Sequence, residues 1–445
     1  MNVEFGWRSL IHLSEIDESE YGRSVKVGGW IEDIRNLGGI AFVQLRDRDG
    51  IVQVTAVKKE DIEIFRTLTT LPRESVIVVE GRIQENKEVK LGFEILPIKV
   101  EVLSRAETPL PLGVVDKVRA ELDTRLDNRF LDLRKPRESA MFKVRSVLIE
   151  GMREHLRKER FLEIHTPKIV AAGAEGGATL FPIQYFGTDA YLAQSPQLYK
   201  QILMAAGFDR VFEIAPAYRA EKSDTTRHIA EFISLDVEIA FIGSSEDVMD
   251  CAQELVREAI VYVSKRAEVE LELLGIELEV PDVPFKRISF RECAEILKEK
   301  GKGLTSEGDM DSLGERLIGR FMKEKHGVDF YFITDFPTAI KGSTFYAMRK
   351  SEDPSLTGYF DLGYSGLELV SGGQREHRYD ELIEQMKEND LDLSSFEFYL
   401  KAFRYGMPPH GGFGLGIERF LQRMLNLSNI RECVLFPRDR SRLVP

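Results

Sequence analysis

Glycine crowds into one short stretch near the C-terminal end of the chain, residues 408–419, which reads Pro-Pro-His-Gly-Gly-Phe-Gly-Leu-Gly-Ile-Glu-Arg. Such glycine density favours a tight backbone turn and a close approach of the backbone to a ligand. From Ile417 the apolar spacing becomes that of an amphipathic helix. Arg419 in its first turn carries a planar cation suited to a polyphosphate or an aromatic face. The stretch predicts a ligand-binding turn before a helix; a plain helix start with a surface arginine is the alternative.

A second charged cluster lies far upstream and could bind the same ligand. Residues 211–241 predict two antiparallel strands joined by a charged loop, 220–229. This segment holds cations for phosphate, a carboxylate and a flat ring on which a base could stack. These residues are Arg219, Glu221, Arg227, His228 and Phe232. With Arg419 they predict a nucleotide site, and the sequence has no Gly-Lys-Ser/Thr phosphate loop that would bind a nucleotide differently.

Size and composition limit the class of protein. At 445 residues the chain exceeds one ordinary domain, so two or three are expected. No apolar run could span a bilayer, and Met1–Leu10 lacks the apolar stretch of a signal peptide. Three cysteines far apart indicate neither a disulfide framework nor a zinc site. We therefore expect a cytoplasmic protein with no membrane contact; the net charge of −13 does not by itself favour a nucleic-acid partner.

Residues 24–105 alternate in the manner of short strands, and Asp49-Gly50 is typical of a tight hairpin turn. Five short strands in this length predict a small barrel of the oligonucleotide-binding (OB) type. On such a barrel an exposed aromatic residue beside polar donors can stack on unpaired bases. The candidates are Phe42, Arg35 and Gln53. A buried core position for Phe42 is the alternative.

The rest of the chain predicts a larger α+β unit. Residues 1–105 are assigned to the barrel, 106–137 to a linker and hinge, and 138–445 to a second domain with a helical insertion at about 244–330. Within that domain, Met141 begins a long helix that leads into a strand ending at Pro167, a unit that could be plain core or could pair across a two-fold axis.

Two carboxylates, Asp361 and Glu368, fall on one predicted strand, 360–370. Their odd spacing would place them on opposite faces, so a bulge or twist is needed to bring them together. With Ser371 they could hold Mg²⁺, which prefers oxygen ligands and usually also binds substrate phosphates.

Three motifs in this order resemble those of class II aminoacyl-tRNA synthetases, and most closely the archaeal aspartyl type. The first is the helix and strand ending at Pro167, the second runs from Phe212 to Phe232, and the third is Gly414 to Arg419. With the N-terminal barrel, the resemblance covers essentially the whole chain. It implies an antiparallel sheet flanked by helices, an anticodon-binding OB barrel, and a homodimer formed through the first motif.

The resemblance also implies roles for single residues. Arg219 would contact the ATP α-phosphate, Glu221 the adenine amine, and Phe232 the adenine ring. His228 and Arg419 would hold the γ-phosphate, and Arg219 and Arg419 would be the catalytic cations. The other implied ATP-binding residues are Arg227, Glu368 and Gly416. Asp361, Glu368 and Ser371 would bind Mg²⁺, and Arg35, Phe42 and Gln53 would lie near anticodon bases.

The amino acid is predicted from charge. A buried substrate carboxylate needs fixed cations, and the resemblance implies that Lys200 and Arg375 supply them. Two cations would face the amide donors of asparagine unfavourably, which favours aspartate. The remaining implied aspartate-binding residues are Glu175, Gln197, Asp236 and Ser371. A solvated lysine and a strand-end salt bridge are the alternatives for Lys200 and Arg375.

One departure concerns the tRNA partner. Some archaeal relatives that accept only their own tRNA carry a large aromatic residue where this chain has Glu32. Because Glu32 cannot stack, we expect relaxed specificity, with tRNA(Asn) charged in addition to tRNA(Asp). The alternatives are an asparaginyl-tRNA synthetase, which lacks Lys200, a non-catalytic tRNA-binding paralogue, and an asparagine synthetase, which would not need the barrel.

Overall fold

The computed structural model describes residues 6–115, 120–171, 173, 179–220, 225–342 and 344–445. The chain forms two compact units, Met1–Ala120 and Glu121–Pro445. Among the described residues, none of the helices combines the length and the apolar composition needed to cross a membrane.

The first unit is a closed five-stranded barrel in the order β1-β2-β3-β5-β4, as the strand pattern predicted. The N-terminal segment adds two short 3-10 helices, Leu13–Glu15 and Glu18–Glu20. The helix that follows the third strand, α1 (Ile62–Thr70), was not predicted; Asp61 caps it with its side chain. The barrel strands are β1 (Ser24–Asn36), β2 (Ile40–Arg46), β3 (Ile51–Val57), β4 (Val76–Glu85) and β5 (Phe93–Ser104).

The second unit is built on an eight-stranded sheet in the order β12-β13-β14-β15-β16-β11-β10-β6. Its inner strands pair antiparallel, as expected, while the end strands β12 and β6 pair parallel with their neighbours. Strands β7, β8 and β9 form a separate small sheet. The strands are β6 (Leu162–Glu163), β7 (Ile169–Val170), β8 (Pro182–Tyr185), β9 (Thr188–Leu192), β10 (Arg210–Tyr218), β11 (Glu231–Ala240), β12 (Lys286–Ser289), β13 (Phe330–Thr334), β14 (Tyr359–Tyr364), β15 (Leu367–Arg375) and β16 (His410–Gly416).

Helices flank this sheet and close its core. The helices are α2 (Leu122–Asp127), α3 (Arg129–Asp132), α4 (Pro136–Lys158), α5 (Gln197–Ala205), α6 (Ser245–Arg266), α7 (Glu268–Leu274), α8 (Phe290–Glu299), α9 (Ser312–His326), α10 (Thr338–Lys341), α11 (Tyr379–Glu388), α12 (Glu397–Arg404) and α13 (Ile417–Met424), with 3-10 helices at Leu393–Phe396 and Ile430–Cys433. Helices α4 and α6 bury apolar residues such as Val144, Leu148 and Val256 in the same core as the central strands.

The domain boundaries differ from the predicted ones in two places. Residues 121–137, predicted as the later part of a linker, carry α2 and α3 and belong to the second unit. Helix α6, predicted as part of an insertion, packs into the main core instead. Neither difference moves the strands that carry the predicted site residues.

Candidate active site

The glycine-rich stretch is not a turn, as the sequence analysis expected, but the central strand β16. Glycines that alternate along a strand leave one of its faces without side chains, because successive residues point to opposite faces. Gly412, Gly414 and Gly416 share such a face. The result is an open trough over the middle of the sheet, from which helix α13 then starts.

The neighbouring strands lay functional side chains along this trough in register. Across four strands, Asp236 pairs with Gly414, Gly414 with Ser371, and Ser371 with Asp361. Residues predicted to bind aspartate and Mg²⁺ therefore lie in one row. The trough continues into a cleft that encloses about 1230 Å³ of empty space, including its open mouth. Among the predicted residues, the cleft lining contains Gln197, Arg219, Arg227, His228, Phe232, Asp236, Glu368, Ser371, Arg375, Gly416 and Arg419.

Gly412 shows why a glycine is needed in the trough. A Cβ atom at this position would lie 2.1 Å from the Val237 carbonyl oxygen and 2.2 Å from a carboxylate oxygen of Glu238. Such contacts are far below van der Waals distance, so the missing side chain makes room for the buried carboxylate.

Arg375 lies at the bottom of the cleft and is 1% exposed. Its Nε donates to Glu238 Oε1 at 3.2 Å, and its Nη2 donates to the Gly412 carbonyl at 2.8 Å and to Gln197 Oε1 at 3.4 Å. Its Nη1 is buried and has no hydrogen-bond partner among the described residues. Because an unpaired buried donor is costly, this guanidinium edge is suited to an anion that enters the cleft.

Two tyrosine rings hold the Arg375 guanidinium in place. Its Cζ lies 5.3 Å from the centre of the Tyr346 ring and 5.7 Å from that of Tyr359. Both rings also line the cleft. Burial alone would lower the pKa of Arg375, but Glu238, Tyr359 and Tyr346 together more than offset this and raise the pKa, so the cation is permanent.

Lys200 is also buried, at 1% exposure, but lies beneath the cleft rather than in its lining. Its Nζ donates to Asp236 Oδ1 at 3.1 Å and to the carbonyls of Val237 and Phe413 at 3.2 Å each. Glu238 Oε2 lies 3.3 Å away. The solvated alternative for Lys200 is therefore excluded, and the lysine acts on the cleft through Asp236, whose carboxylate faces it.

Glu238 links the two cations, Arg375 and Lys200, and was not predicted from the sequence. It is fully buried, and it contacts both Arg375 and Lys200. Burial acts to raise the pKa of Glu238, but the attraction of Arg375 and Lys200 outweighs burial. The pKa is therefore lowered, and the group is an anion. A signal existed, because Glu238 is two residues beyond Asp236 on a strand and must share its face.

A neutral polar chain continues from Arg375 behind the cleft. Gln197 Nε2 donates to Gln201 Oε1 at 2.9 Å, and Gln201 Nε2 lies 2.9 Å from His410 Nε2. The other ring nitrogen of His410 lies 2.9 Å from the Pro408 carbonyl, which can only accept, so this nitrogen carries the proton. Burial lowers the pKa of His410 to about 4 and keeps the ring neutral.

The opposite end of the cleft is rich in arginine. The Arg219 Cζ lies 5.5 Å from the centre of the Phe232 ring. Arg419 Nη1 lies 3.4 Å from Glu368 Oε1 and donates to the Glu368 carbonyl at 3.2 Å. The Phe232 ring therefore has the Arg219 cation on one face, and Arg419 is paired with a predicted Mg²⁺ ligand.

Two further residues predicted to bind ATP, Arg227 and His228, lie on the segment between β10 and β11. Arg227 Nη2 donates to Glu315 Oε2 at 2.6 Å, which connects this segment to α9. The hydroxyl of Thr225 lies 2.6 Å from His228 Nδ1. Glu315 comes from a distant helix, and its arrival at this site was not predicted.

Asp361 and Glu368 were predicted on one strand, but they lie on the two strands of a hairpin, β14 and β15. The chain reverses at Ser365 and Gly366, which have φ of 48° and 75°. The expected bulge is present, since Leu362 pairs with Val370 but Gly363 pairs with Glu368, which skips one residue of β15. The skip brings Glu368 onto the face of Asp361.

The Asp361 carboxylate already has two partners. The Ser371 hydroxyl donates to Asp361 Oδ1 at 2.6 Å, and Lys341 Nζ lies 3.2 Å from Oδ2. Burial raises the pKa of Asp361 to about 6, although Lys341 acts to lower it. Lys341 was not predicted, because it comes from a short helix, α10, with no motif of its own.

On the barrel, the predicted base-binding residues share the outer surface. Phe42 is half-buried and lies outside the barrel core, paired in register with the exposed Arg35 on one side and with Thr55 on the other. Gln53 Nε2 donates to Glu94 Oε2 at 2.8 Å. The core alternative for Phe42 is therefore wrong, and its role in RNA binding stays a prediction.

Glu32 is paired on the barrel. Arg46 Nη1 donates to its Oε2 at 2.9 Å, while Arg46 Nη2 donates to Glu74 at 2.7 Å. The ion pair holds the Glu32 side chain and partly offsets its charge. The two remaining predicted site residues, Glu175 and Glu221, lie outside the described residues.

Comparison with known proteins places both units in families. The model "tRNA synthetases class II (D, K and N)" matches residues 121–440, and the model "OB-fold nucleic acid binding domain" matches residues 25–103. The chain is 55% identical to the aspartate–tRNA(Asp) ligase of Pyrococcus furiosus, over 98% of this chain and 99% of the relative. It is 48% identical to the aspartate–tRNA(Asp/Asn) ligase of Archaeoglobus fulgidus, over 98% and 100%.

A solved structure agrees with this assignment. The asparaginyl-tRNA synthetase of Pyrococcus horikoshii, complexed with asparaginyl-adenylate, superposes with a TM-score of 0.90 at 33% identity, over 98% of this chain and 99% of that one. With the matching motifs, the central sheet and the barrel, these likenesses show that the chain belongs to the class II aminoacyl-tRNA synthetases, and within them to the archaeal aspartate–tRNA ligase family.

Proposed function

We propose that this protein activates L-aspartate with ATP and transfers it to the terminal 3′-hydroxyl of tRNA(Asp). The observation that carries the choice of amino acid is the buried Arg375, whose Nη1 has no partner among the described residues and whose side chain lines the cleft. A substrate side-chain carboxylate would complete its hydrogen bonds.

The aspartate end of the cleft suits a diacid with one ammonium group. Arg375 would bind the side-chain carboxylate, and Lys200 would add positive charge from below. Asp236 and Gln197 line the same cleft and could receive the α-ammonium; Glu175 and Ser371 complete the proposed set. A charged hydrogen bond in such a buried place is stronger than one in water.

The arginine-rich end suits ATP. Arg219, Arg227, His228 and Arg419 would contact the phosphates, Phe232 would stack on adenine, and Glu221 would read its amine. Gly416 leaves the trough open beside Arg419, because a Cβ there would meet nothing nearer than that side chain at 3.8 Å.

Asp361, Glu368 and Ser371 fit the Mg²⁺ predicted for this site, because two carboxylates and a hydroxyl on one sheet face are the hard oxygen ligands that this ion prefers. When bound, Mg²⁺ would neutralise charge on phosphate oxygens. In the present structure Asp361 is paired with Lys341 and Glu368 with Arg419, so Mg²⁺ would have to displace these two cations.

The chemistry needs no protein nucleophile. An oxygen of the aspartate α-carboxylate attacks the α-phosphorus in line, the bond to the bridging oxygen of the β-phosphate breaks, and pyrophosphate leaves. Arg219 and Arg419 would stabilise the charge that builds up on the phosphate oxygens. The tRNA 3′-hydroxyl then attacks the aspartyl carbonyl, and AMP leaves.

The barrel would read the anticodon through Phe42, Arg35 and Gln53. We extend the proposal to tRNA(Asn), because Glu32 is held by Arg46 and offers no ring to stack. The relatives divide on this point: the more similar one is named for tRNA(Asp) alone, the other for both. Charging both transcripts in parallel decides it. A rate on tRNA(Asn) about a hundredfold or more below that on tRNA(Asp) would contradict relaxed specificity.

We further propose that two copies associate through the first motif, in the cytoplasm where translation takes place. Strand β6 ends the large sheet and leaves an edge that can pair. Leu162 of this strand is 48% exposed, and Phe208 before β10 and Phe241 after β11 are 45% and 77% exposed. Light scattering during gel filtration tests this, with Leu162→Arg expected to shift the mass towards a monomer.

Asparagine is the second candidate substrate, favoured by the likeness to the asparaginyl enzyme. The buried Arg375 argues against it, because asparagine would bring its amide donors to the donors of this guanidinium. A non-catalytic role is the third candidate; the proposed catalytic and metal-binding side chains Arg219, Arg419, Asp361 and Glu368 are all present and argue against it.

Aminoacylation with radiolabelled aspartate tests the proposal. The purified protein should charge a tRNA(Asp) transcript in the presence of ATP and Mg²⁺ and should release AMP and pyrophosphate. A protein that binds the transcript but charges it with neither aspartate nor asparagine would support the non-catalytic alternative.

A further inference from the structure

Each carboxylate of the proposed Mg²⁺ site is paired with a cation of the chain itself. Lys341 Nζ lies 3.2 Å and 3.5 Å from the two oxygens of Asp361. Arg419 Nη1 lies 3.4 Å from Glu368 Oε1. The two carboxylates and their two cations together are therefore close to electrically neutral before any substrate binds.

Lys341 is held at this point and is not a surface lysine that happens to be near. Its side chain is 18% exposed. Its Nζ lies 4.6 Å from the centre of the Phe336 ring and 5.1 Å from that of Tyr359. Aromatic faces attract an ammonium, and more strongly when it is partly desolvated. The position is thus built to hold a cation against Asp361.

The lysine also borders two separate spaces. It lines the cleft, and it lines a smaller cavity behind it together with Asp361, Glu368 and Glu315. A change of side-chain rotamer could therefore take its ammonium away from Asp361 towards the phosphate end of the cleft without moving the sheet.

We propose that Lys341 is a positioning residue that occupies the cation position of the Asp361–Glu368 pair and excludes a divalent ion until nucleotide phosphates draw its ammonium away. The inference rests on the proposed function, since it assigns the same carboxylates to Mg²⁺. Phosphates would attract Lys341 and Arg419 alike and so free both carboxylates. Binding of nucleotide and of metal would then favour each other reciprocally.

The test measures Mn²⁺ binding by the nucleotide-free full-length protein, from the electron paramagnetic resonance signal of free Mn²⁺. Lys341→Met removes the competing charge and keeps an apolar chain between the two rings. We expect Mn²⁺ to bind about tenfold or more tightly to this variant than to the wild type, because one unit charge within a few ångströms of the ion is lost. Lys341→Arg, which keeps the cation, should stay near the wild type.

Lys350→Met is the matched control, because Lys350 also pairs with an aspartate, Asp335, but does not line the cleft. It should leave Mn²⁺ affinity unchanged. Lys341→Met combined with Asp361→Asn should lose the gain. If Lys341→Met does not fold, as judged by circular dichroism, Lys341→Gln serves in its place.

A neutral variant at position 341 that binds Mn²⁺ no more tightly than the wild type would overturn the inference, as would a gain that survives Asp361→Asn. Because the titration contains neither ATP nor aspartate, its result is independent of catalysis. A wild-type protein without aspartate-dependent activity, but with the gain at position 341, would refute the proposed function and leave this inference standing.

Discussion

The floor of the cleft and the outer face of the barrel carry polar groups in opposite ways. On the cleft floor, Arg375, Lys200 and Glu238 are almost completely buried and paired with one another. On the barrel, Phe42 is half-buried and Arg35 is exposed. The floor groups are fixed before a ligand arrives, whereas the barrel groups face solvent and can adjust.

The difference follows from what each region would bind. A small diacid offers little surface, so its recognition must come from a few strong charged contacts set in a dry place. Unpaired bases offer wide flat rings, and stacking on an exposed aromatic residue suffices. Substitutions on the floor should therefore abolish activity or stability, while those on the barrel should weaken tRNA binding by a modest factor.

The largest effect is expected for Arg375→Leu. Aspartate-dependent ATP–pyrophosphate exchange should fall by about a thousandfold, because the only floor cation that lines the cleft among the described residues is lost and Glu238 is left with less compensation. ATP affinity, measured by calorimetry, should survive. Arg291→Leu is the control, since Arg291 forms an exposed pair with Glu295 and should matter little. Equal loss of aspartate and ATP binding would show that the assigned role is wrong.

Gly412→Ala should lower the free energy of unfolding by several kcal/mol. The added methyl group would collide with the Val237 carbonyl and with Glu238, and overpacking of this kind costs roughly 1–3 kcal/mol or more. Chemical denaturation measures the effect. Gly39→Ala on the barrel is the matched control, because a Cβ there meets nothing within 4 Å. Similar losses in the two variants would contradict the close packing described for the trough.

Acid should lower the free energy of unfolding through His410, which lies behind the cleft. Its pKa is about 4 in the folded protein and is higher in the unfolded chain, so the unfolded chain binds the proton first. The stabilising contribution is present above about pH 6.5 and is lost as the pH falls towards 4, by about 3 kcal/mol at most. Unfolding curves of the wild type and of His410→Asn should therefore converge as the pH falls. A constant difference across this range would contradict a neutral buried imidazole; His326→Asn, at an exposed site, controls for the loss of a ring.

The smallest effect is expected on the barrel. Phe42→Ala should raise the KM for tRNA by roughly 5- to 100-fold, the equivalent of one lost stacking contact, while aspartate-dependent exchange stays unchanged. Phe42→Leu, which keeps an apolar side chain but no ring, should behave similarly. Unfolding of the barrel in either variant would mean that Phe42 supports the fold and not the RNA.

Much of the fold followed from local patterns in the sequence. The alternation in residues 24–105 predicted the barrel, and the two strands around the charged loop 220–229 predicted the hairpin of β10 and β11. The same reasoning failed at β16, where glycine density was interpreted as a turn although its spacing of two at Gly412, Gly414 and Gly416 indicates the bare face of a strand. The hairpin that carries Asp361 and Glu368 was missed because Ser365-Gly366 was not recognised as a turn.

The parts of the site that could not be predicted come from long-range packing. Lys341 and Glu315 reach the cleft from helices without a motif, and nothing in their local sequence indicates a ligand. Gln201 and His410 meet only after α5 packs beside β16. Such partners depend on tertiary structure, which a local pattern does not encode.

The central claim is that the buried charges of the floor select a diacid over its amide. ATP–pyrophosphate exchange by the wild-type protein, with L-aspartate and L-asparagine compared at equal concentrations, tests it most directly. Exchange should depend on aspartate and remain at background with asparagine. Exchange with asparagine that equals or exceeds exchange with aspartate would contradict the account.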